Sequence, residues 1–226
     1  RCRLVGSEMC IRDRFNHYRI DSFFTNFAQI MSDYLLQRIE SYIMEEKLFS
    51  PKTPLLIACS GGPDSIAAVH VLKSLGYPVG IAHCNFKLRN EADEEQFFVE
   101  GFASENNIPF YTIDFETEEY AKQNQISIQE AARVLRYEWL ETIRKQHGFH
   151  FIVTAHHKND QVETVLVHAV KGCGLKGLSG IPTKNDKIVR TIICVEKQDL
   201  ITYLKENDVD FRLDASNDSN LSLIHI

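Results

Sequence analysis

Residues 55–65 read LLIACSGGPDS, a short apolar run that leads directly into a turn rich in glycine. An uninterrupted apolar run such as 55–59 is typical of a strand covered on both faces, as in a parallel sheet. Residues 66–72 then carry apolar side chains at helical spacing. The segment therefore predicts a strand–loop–helix unit whose loop lies at the carboxyl end of a buried strand.

Strands and helices alternate along the rest of the chain. The other predicted strands are 79–84, 110–113, 151–155 and a short one at 188–190. The other predicted helices are 33–48, 91–106, 127–146, 161–170 and 196–207. Crossovers of this length are what parallel pairing requires. We predict a doubly wound α/β fold, a mostly parallel sheet with helices on both faces, in which ligands bind beyond the carboxyl ends of the strands.

Composition narrows the class of protein. The chain is 44% hydrophobic and 25% charged, as in ordinary globular proteins, and no apolar stretch is long enough for a bilayer. Its six cysteines form no CxxC pair, which favours reduced thiols and a cytoplasmic location without membrane association. The net charge of −6 has the wrong sign for a protein that binds nucleic acid mainly through the phosphate backbone. Any RNA contact would need a local basic patch or another part of the protein.

Both ends of the chain differ in character from the middle. Residues 1–14 and 221–226 resemble translated sequencing-adaptor read-through. We expect residues 1–30 to be non-native or upstream of a native start at Met31, and residues 221–226 to be a foreign tail. Residues 31–220 would then form one nucleotide-binding catalytic domain that is truncated on its C-terminal side.

The loop after the first strand has the features of a phosphate site. It consists of Ser60, Gly61, Gly62, Pro63, Asp64 and Ser65. Glycines let the backbone bend and bring N–H groups close to an anion, and the start of the following helix adds positive potential. The two serine hydroxyls can donate to phosphate oxygens. The acid would repel phosphate directly, so it implies an intervening Mg²⁺.

Two common phosphate-binding patterns are absent from this loop. It has no Walker lysine and does not fit GxxxxGK[ST], and GxGxxG does not occur. A plain strand-to-helix turn is the alternative interpretation, because glycine and proline are frequent in such turns. The order of strand, loop, acid and helix favours the phosphate site.

Two further segments carry candidate polar groups. His156 follows the fourth predicted strand and should lie at the same sheet edge as the loop, while Asp160 and Glu163 share one helix face. These carboxylates could hold an ammonium group or Mg²⁺, or they could simply favour the helix dipole. Arg133 and Arg136 also share a helix face, where they either clamp phosphate or form a solvated surface.

The loop matches the SGGxDS signature of the N-type ATP pyrophosphatases, the PP-loop family. Other stretches, in order, are AHCNFKLR (82–89), EAARVLRY (130–137), AHHKNDQVET (155–164), GLKGLSGIP (174–182) and FRLDASN (211–217). Together they resemble the catalytic domain of bacterial tRNA(Ile)-lysidine synthetases over about residues 35–220. The chain departs from that pattern at Phe86, where many members carry a histidine, and at Asn159, where many carry aspartate.

This resemblance implies a reaction. ATP would adenylate the C2 oxygen of the wobble cytidine of tRNA(Ile), and the ε-amine of free L-lysine would then displace AMP to form lysidine. The implied cofactors are ATP and Mg²⁺, and the full-length protein is expected to form a homodimer. There are two alternatives. One is another PP-loop tRNA-modifying enzyme such as a 2-thiolase, and the other is a non-catalytic adenine-nucleotide sensor.

The resemblance also implies a nucleotide site. Residues 60–65 would hold the ATP phosphates, with Asp64 as the Mg²⁺ ligand. Ala58 and His83 would line the adenosine pocket, although Ala58 is equally explained as a core residue of the strand.

Further residues receive catalytic roles from the same resemblance. His156 would bind phosphate or assist proton transfer. Asp160 and Glu163 would hold the lysine substrate and help to deprotonate its amine. Arg133 or Arg136 would stabilise phosphate or RNA.

Overall fold

A six-stranded sheet forms the centre of the protein in a computed structural model, which describes residues 31–172 and 179–212. The strands are β1 (Leu55–Ala58), β2 (Val79–Asn85), β3 (Phe110–Asp114), β4 (Phe151–Val153), β5 (Lys184–Asn185) and β6 (Ile188–Val189). Their order across the sheet is β3-β2-β1-β4-β6-β5. All neighbours pair in parallel except β5 and β6. The predicted, mostly parallel sheet is confirmed.

Helices connect most of these strands. They are α1 (31–45), α2 (Pro63–Ser74), α3 (Ala92–Glu105), α4 (Thr117–Asn124), α5 (Ile128–Gln146), α6 (Lys158–Val170) and α7 (Lys197–Glu206). The hydroxyl of Ser127 accepts the Glu130 N–H at 3.1 Å, which caps α5 at the predicted residue. In the part of the chain described here, no helix is both long and apolar enough to pass through a bilayer.

Alternate residues of β1 pack against opposite faces of the sheet, because side chains alternate along a strand. Leu55 and Ile57 belong to a core shared with buried residues of α1, α2, α3 and α7. Leu56 belongs to a second core, formed with Leu140 and Ile143 of α5. The sheet is therefore covered on both faces, as a doubly wound fold requires.

The strand order places a crevice at the carboxyl end of β1. β1 pairs with β2 on one side and with β4 on the other, so the chain connections diverge from this point. Such a divergence leaves an opening above the strand ends, where ligands bind in open α/β sheets. The loop 60–65 follows β1, and residues 154–157 follow β4. The fold thus brings two of the predicted functional segments to one edge.

The structure departs from the predicted elements at several helix and strand ends and in two short elements. The fourth strand ends at Val153, two residues early, and Thr154 makes the last backbone bond to β6, through the Val189 carbonyl at 3.0 Å. Helix α6 starts three residues early, at Lys158. Helix α4 and the two-residue strand β5 were not predicted, because both are short and rich in polar residues.

Several expectations fall on residues outside the described ranges. These are the non-native character of residues 1–30 and 221–226, the glycine-rich stretch 173–178, and the end of the FRLDASN stretch from residue 213. The domain boundaries at residues 31 and 220 remain predictions.

Two glycines give a matched test of packing around the sheet. A Cβ on Gly80 of β2 would overlap the buried ring of Phe149, whereas a Cβ on Gly101 of α3 would meet nothing within 4 Å. We predict that Gly80→Ala lowers the free energy of unfolding by about 1–3 kcal/mol. Gly101→Ala should raise it by about 0.5–1 kcal/mol, because alanine favours a helix. Urea unfolding monitored by circular dichroism measures both; a Gly80→Ala protein of unchanged stability would contradict the packing.

Candidate active site

The loop after β1 is sharply bent at its glycines. Gly61 has a φ of 90°, in the left-handed region, and a Cβ there would lie 3.2 Å from Cγ2 of Val99. Gly62 is the N-cap of α2, and Pro63 occupies the first turn, where its missing N–H costs nothing. The bend therefore directs the N-terminus of α2 towards the crevice.

Hydrogen bonds between the two serines and the backbone hold this bend. The Ser60 N–H donates to Ser65 Oγ at 3.2 Å, and Ser65 Oγ donates to the Gly62 carbonyl at 3.0 Å. The Gly62 N–H donates to Ser60 Oγ at 3.4 Å. Ser65 is buried and supports the loop from the interior of the protein. Ser60 is exposed and faces the crevice.

Asp64 lies in the first turn of α2 and meets two basic groups. Its Oδ2 is 3.7 Å from His157 Nε2 and 3.9 Å from Lys197 Nζ. Its Oδ1 is buried and has no hydrogen-bond partner among the described residues. Burial raises the pKa of Asp64, while His157 and then Lys197 act to lower it. A buried carboxylate oxygen without a partner fits a ligand for a cation.

The first turn of α6 lies beside this carboxylate. His157 is its N-cap, and Nδ1 accepts the Asp160 N–H at 3.3 Å, while Asp160 Oδ2 accepts the His157 N–H at 2.9 Å. Since Nδ1 accepts, a neutral ring carries its hydrogen on Nε2, which faces Asp64. His157 is almost fully buried, so α6 and the loop are joined through one imidazole.

Asp160 and Glu163 lie on α6, but neither residue lines the crevice above the strand ends. Asp160 uses Oδ2 in the cap, and its Oδ1 makes no hydrogen bond within the described residues. Glu163 is half-buried and makes no hydrogen bond or ion pair with another described residue. The structure thus connects Asp160 to Asp64 through His157, and one turn further along no other described residue pairs with the Glu163 carboxylate.

His156 lies on the wall of the crevice next to this turn. Its Nδ1 is 3.1 Å from Thr154 Oγ1. Burial, reinforced by the charge of Arg190, lowers the pKa of His156 to about 4. The ring is therefore neutral at physiological pH, which suits a hydrogen-bonding role better than that of a base for an amine.

The opposite wall is built by α5. Arg133 and Arg136 both line the crevice and are exposed. The Arg133 guanidinium carbon lies 5.3 Å from the Tyr137 ring centroid, and that of Arg136 lies 5.1 Å from the Phe86 ring centroid. Phe86 in turn stacks on Phe115, at 5.6 Å between centroids and 22° between planes. Aromatic rings therefore position both guanidinium groups.

The strand ends form the floor. Ala58, Ala82 and Cys84 line the crevice. His83 is buried beneath the loop, and its Nδ1 donates to the Cys59 carbonyl at 2.9 Å. Alternation along β2 turns His83 away from the face that Ala82 and Cys84 present. The structure thus places Ala58 on the crevice and His83 below it.

These walls enclose the crevice, which forms a cleft of about 310 Å³. Predicted residues that line it are Ala58, Ser60, Gly62, Pro63, Asp64, Ser65, Arg133, Arg136 and His156. The sequence interpretation missed Tyr137, Thr154 and Lys197 as lining residues, and His157 as the buried link. No pattern singles out Lys197, which is far from the loop in sequence. His157 belongs to a recognised stretch, but histidine is not a usual helix cap.

Comparison with known proteins identifies the class. A family model of the PP-loop domain matches residues 31–222. The chain therefore belongs to the PP-loop family of ATP-binding domains.

Within that family, the resemblance to tRNA(Ile)-lysidine synthetases is confirmed. The chain is 43% identical over 182 residues to the tRNA(Ile)-lysidine synthase of Bacteroides thetaiotaomicron, covering 80% of this chain and 43% of that protein. It is 42% identical over 187 residues to the tRNA(Ile)-lysidine synthase of Porphyromonas gingivalis, covering 81% and 41%. The chain thus spans about two fifths of the length of these relatives.

A solved structure supports the fold. The U34-tRNA thiolase NcsA from Methanococcus maripaludis, a protein with a 4Fe–4S cluster, superposes with a TM-score of 0.69 at 12% identity. The match covers 86% of this chain and 70% of the thiolase. At this identity the likeness concerns the fold alone.

The environment of Asp64 predicts a gain of stability when its charge is removed. Its pKa is raised above the ordinary 3.8, so the folded state favours the protonated carboxyl. The contribution of this group to stability is complete at low pH and is lost as pH rises through the folded-state pKa. We predict that Asp64→Asn raises the melting temperature at pH 7, by an amount that shrinks as pH falls towards 4.

Differential scanning fluorimetry across this pH range measures the effect. Glu138→Gln, which neutralises an exposed carboxylate on α5, is the control and should leave the melting temperature unchanged. A lower melting temperature for Asp64→Asn at pH 7 would show that the charged carboxylate stabilises the fold.

Proposed function

We propose that this chain is the catalytic domain of a tRNA(Ile)-lysidine synthase, which joins L-lysine to C2 of the wobble cytidine through an adenylated intermediate. The observation that carries the proposal is the junction between Asp64 and the first turn of α6. It sets the loop 60–65 beside the carboxylates of Asp64 and Asp160, each with one oxygen that no described residue hydrogen-bonds. The identity to lysidine synthases supports the same reaction.

The nucleotide would lie along the cleft. Its base would rest on the apolar floor at Ala58 and Ala82, and its phosphates would lie over the bent loop at the start of α2. Arg133 and Arg136 lie on the facing wall, where they can reach phosphate oxygens or RNA. The neutral ring of His156 would donate a hydrogen bond to phosphate.

Mg²⁺ fits the unpartnered Oδ1 of Asp64. No group of three His, Cys, Asp or Glu residues suited to a metal occurs in the described ranges. This agrees with an ion held by one carboxylate and by the nucleotide's own phosphates, as is common for Mg²⁺. Bound there, Mg²⁺ would neutralise part of the phosphate charge.

The reaction then has two steps. The C2 oxygen of the cytidine attacks the α-phosphorus, the bond to the β-phosphate oxygen breaks, and pyrophosphate leaves. The lysine ε-amine, after losing a proton, attacks C2, and the C2 oxygen departs with AMP. Adenylation converts a poor leaving oxygen into a good one, and the protein contributes positioning and charge stabilisation.

Asp160 and Glu163 would receive the lysine substrate. They lie one turn apart on α6, so both carboxylates can approach one ammonium group. Either carboxylate can accept the proton that the amine must lose before it attacks. Asp160 also caps the helix through Oδ2, and its Oδ1, which no described residue hydrogen-bonds, would bind the substrate.

The polynucleotide needs additional binding surface. The chain carries a net charge of −6, so its own contribution to tRNA affinity would be small, and among the described residues the Arg133 and Arg136 wall is the candidate RNA contact. We propose that tRNA(Ile) is held largely by parts of the protein beyond this domain. Cytoplasmic location and a homodimer of the full-length protein remain predictions.

A 2-thiolase is the nearest alternative, since the NcsA thiolase shares the fold. The cysteines of the described residues, Cys59, Cys84 and Cys194, form no metal-binding group with one another, and the sequence has no CxxC pair. Identity is also much higher to lysidine synthases than to the thiolase. Lysine ligation is therefore the better supported reaction.

The test is lysine incorporation into tRNA(Ile), measured with radiolabelled lysine and ATP in the full-length protein that contains this domain. We predict that Asp64→Ala abolishes AMP formation. Glu163→Gln should raise the KM for lysine by about tenfold or more, the loss expected for a charge-assisted bond, without changing the affinity for ATP. Glu138→Gln is the control.

Three outcomes discriminate between the functions. Sulfur transfer to tRNA without lysine incorporation would favour the thiolase. ATP binding without turnover of any tRNA would favour a nucleotide sensor. Full lysine-dependent turnover by Asp64→Ala would refute the site.

A further inference from the structure

The loop 60–65, the candidate phosphate site, contains one acidic side chain and no basic one. The phosphates of ATP carry several negative charges, and Asp64 beside them adds another. Opposite charge within about 4 Å is needed to offset such repulsion where water is partly excluded. A side-chain cation that acts on the phosphates in addition to Mg²⁺ must therefore come from elsewhere in the chain.

Lys197 meets this need. It is the first residue of α7, it lines the cleft, and its Nζ lies 3.9 Å from Asp64 Oδ2. About a third of its side chain is exposed, so the ammonium group can reach a ligand in the cleft. Among described residues it is the one lysine or arginine within 4 Å of Asp64.

Contacts between α6 and α7 hold Lys197 at this place. Its backbone N–H donates to Asn159 Oδ1 at 3.1 Å. The Lys158 N–H donates to the Val195 carbonyl at 2.8 Å, and Lys158 Nζ pairs with Glu196 at 2.9 Å. The start of α7 is therefore docked on the start of α6, the helix that His157 joins to the loop.

The other cations of the site lie elsewhere. Arg133 and Arg136 are on the α5 wall, over aromatic rings. Arg190 is buried and donates through Nη1 to the Pro182 carbonyl. Lys197 thus has a separate position, next to the loop acid and across from the arginines.

We propose that Lys197 is the phosphate-binding lysine of this site and contacts the phosphate chain of ATP directly. The inference rests on the proposed ATP site and adds a residue to it. The ammonium group supplies from α7 the positive charge that a Walker loop carries within its own sequence. In the unliganded protein the same group partly neutralises Asp64.

Calorimetric titration of this chain with pyrophosphate, MgATP and adenosine tests the proposal. Lys197→Met should weaken pyrophosphate and MgATP binding by about tenfold or more, as for the loss of a charge-assisted bond, and leave adenosine binding unchanged. Lys197→Arg should retain most of the affinity. Lys205→Met, which removes an exposed lysine at the other end of α7 and outside the cleft lining, is the matched control and should bind all three ligands normally.

A double variant separates direct contact from an effect transmitted through Asp64. In an Asp64→Asn background without magnesium, Lys197→Met should still weaken pyrophosphate binding by about tenfold if the ammonium group touches phosphate. Loss of the effect in that background would overturn the inference, as would equal affinities for Lys197→Met and Lys205→Met. If the unmodified chain bound neither pyrophosphate nor ATP, the proposed function itself would fail, and the inference with it.

Discussion

The architecture of the site depends on one buried imidazole. His157 caps α6 through Nδ1 and faces Asp64 of the loop through Nε2. The starts of α6 and α2, from distant parts of the chain, are thereby held together in a region that excludes most water. Because the ring is buried, a substitute must fill its volume, accept a backbone N–H and donate towards a carboxylate. Few side chains meet all three requirements.

Much of the fold is predictable because its local signals agree with one another. The apolar run of β1, the glycine turn and the helical spacing after it all indicate one strand–loop–helix unit. Alternation of such units then restricts the topology to a parallel sheet, and the carboxyl edge of that sheet locates the site. The loop, His156 and the two arginines were therefore found from the sequence pattern, whereas Ala58 was named through the family resemblance. Their roles in binding and catalysis remain predictions.

What could not be predicted depends on tertiary contact. Lys197 reaches the cleft only because α7 docks on α6, and nothing in the local sequence encodes that docking. His83 was expected at the nucleotide, but a strand's alternation and the Cys59 carbonyl place it under the loop. The polar helix α4 and the two-residue β5 lack the periodic apolar residues that sequence interpretation requires.

Phe86 gives the rim of the cleft a property that a histidine at this position would not give. The ring contacts both Phe115 and the Arg136 guanidinium, and it has no group that can gain or lose a proton. A histidine there would become cationic in mildly acidic surroundings and would repel the neighbouring arginine. With phenylalanine, the positive charge of this rim, and so its attraction for an anionic ligand, does not change with pH in this range.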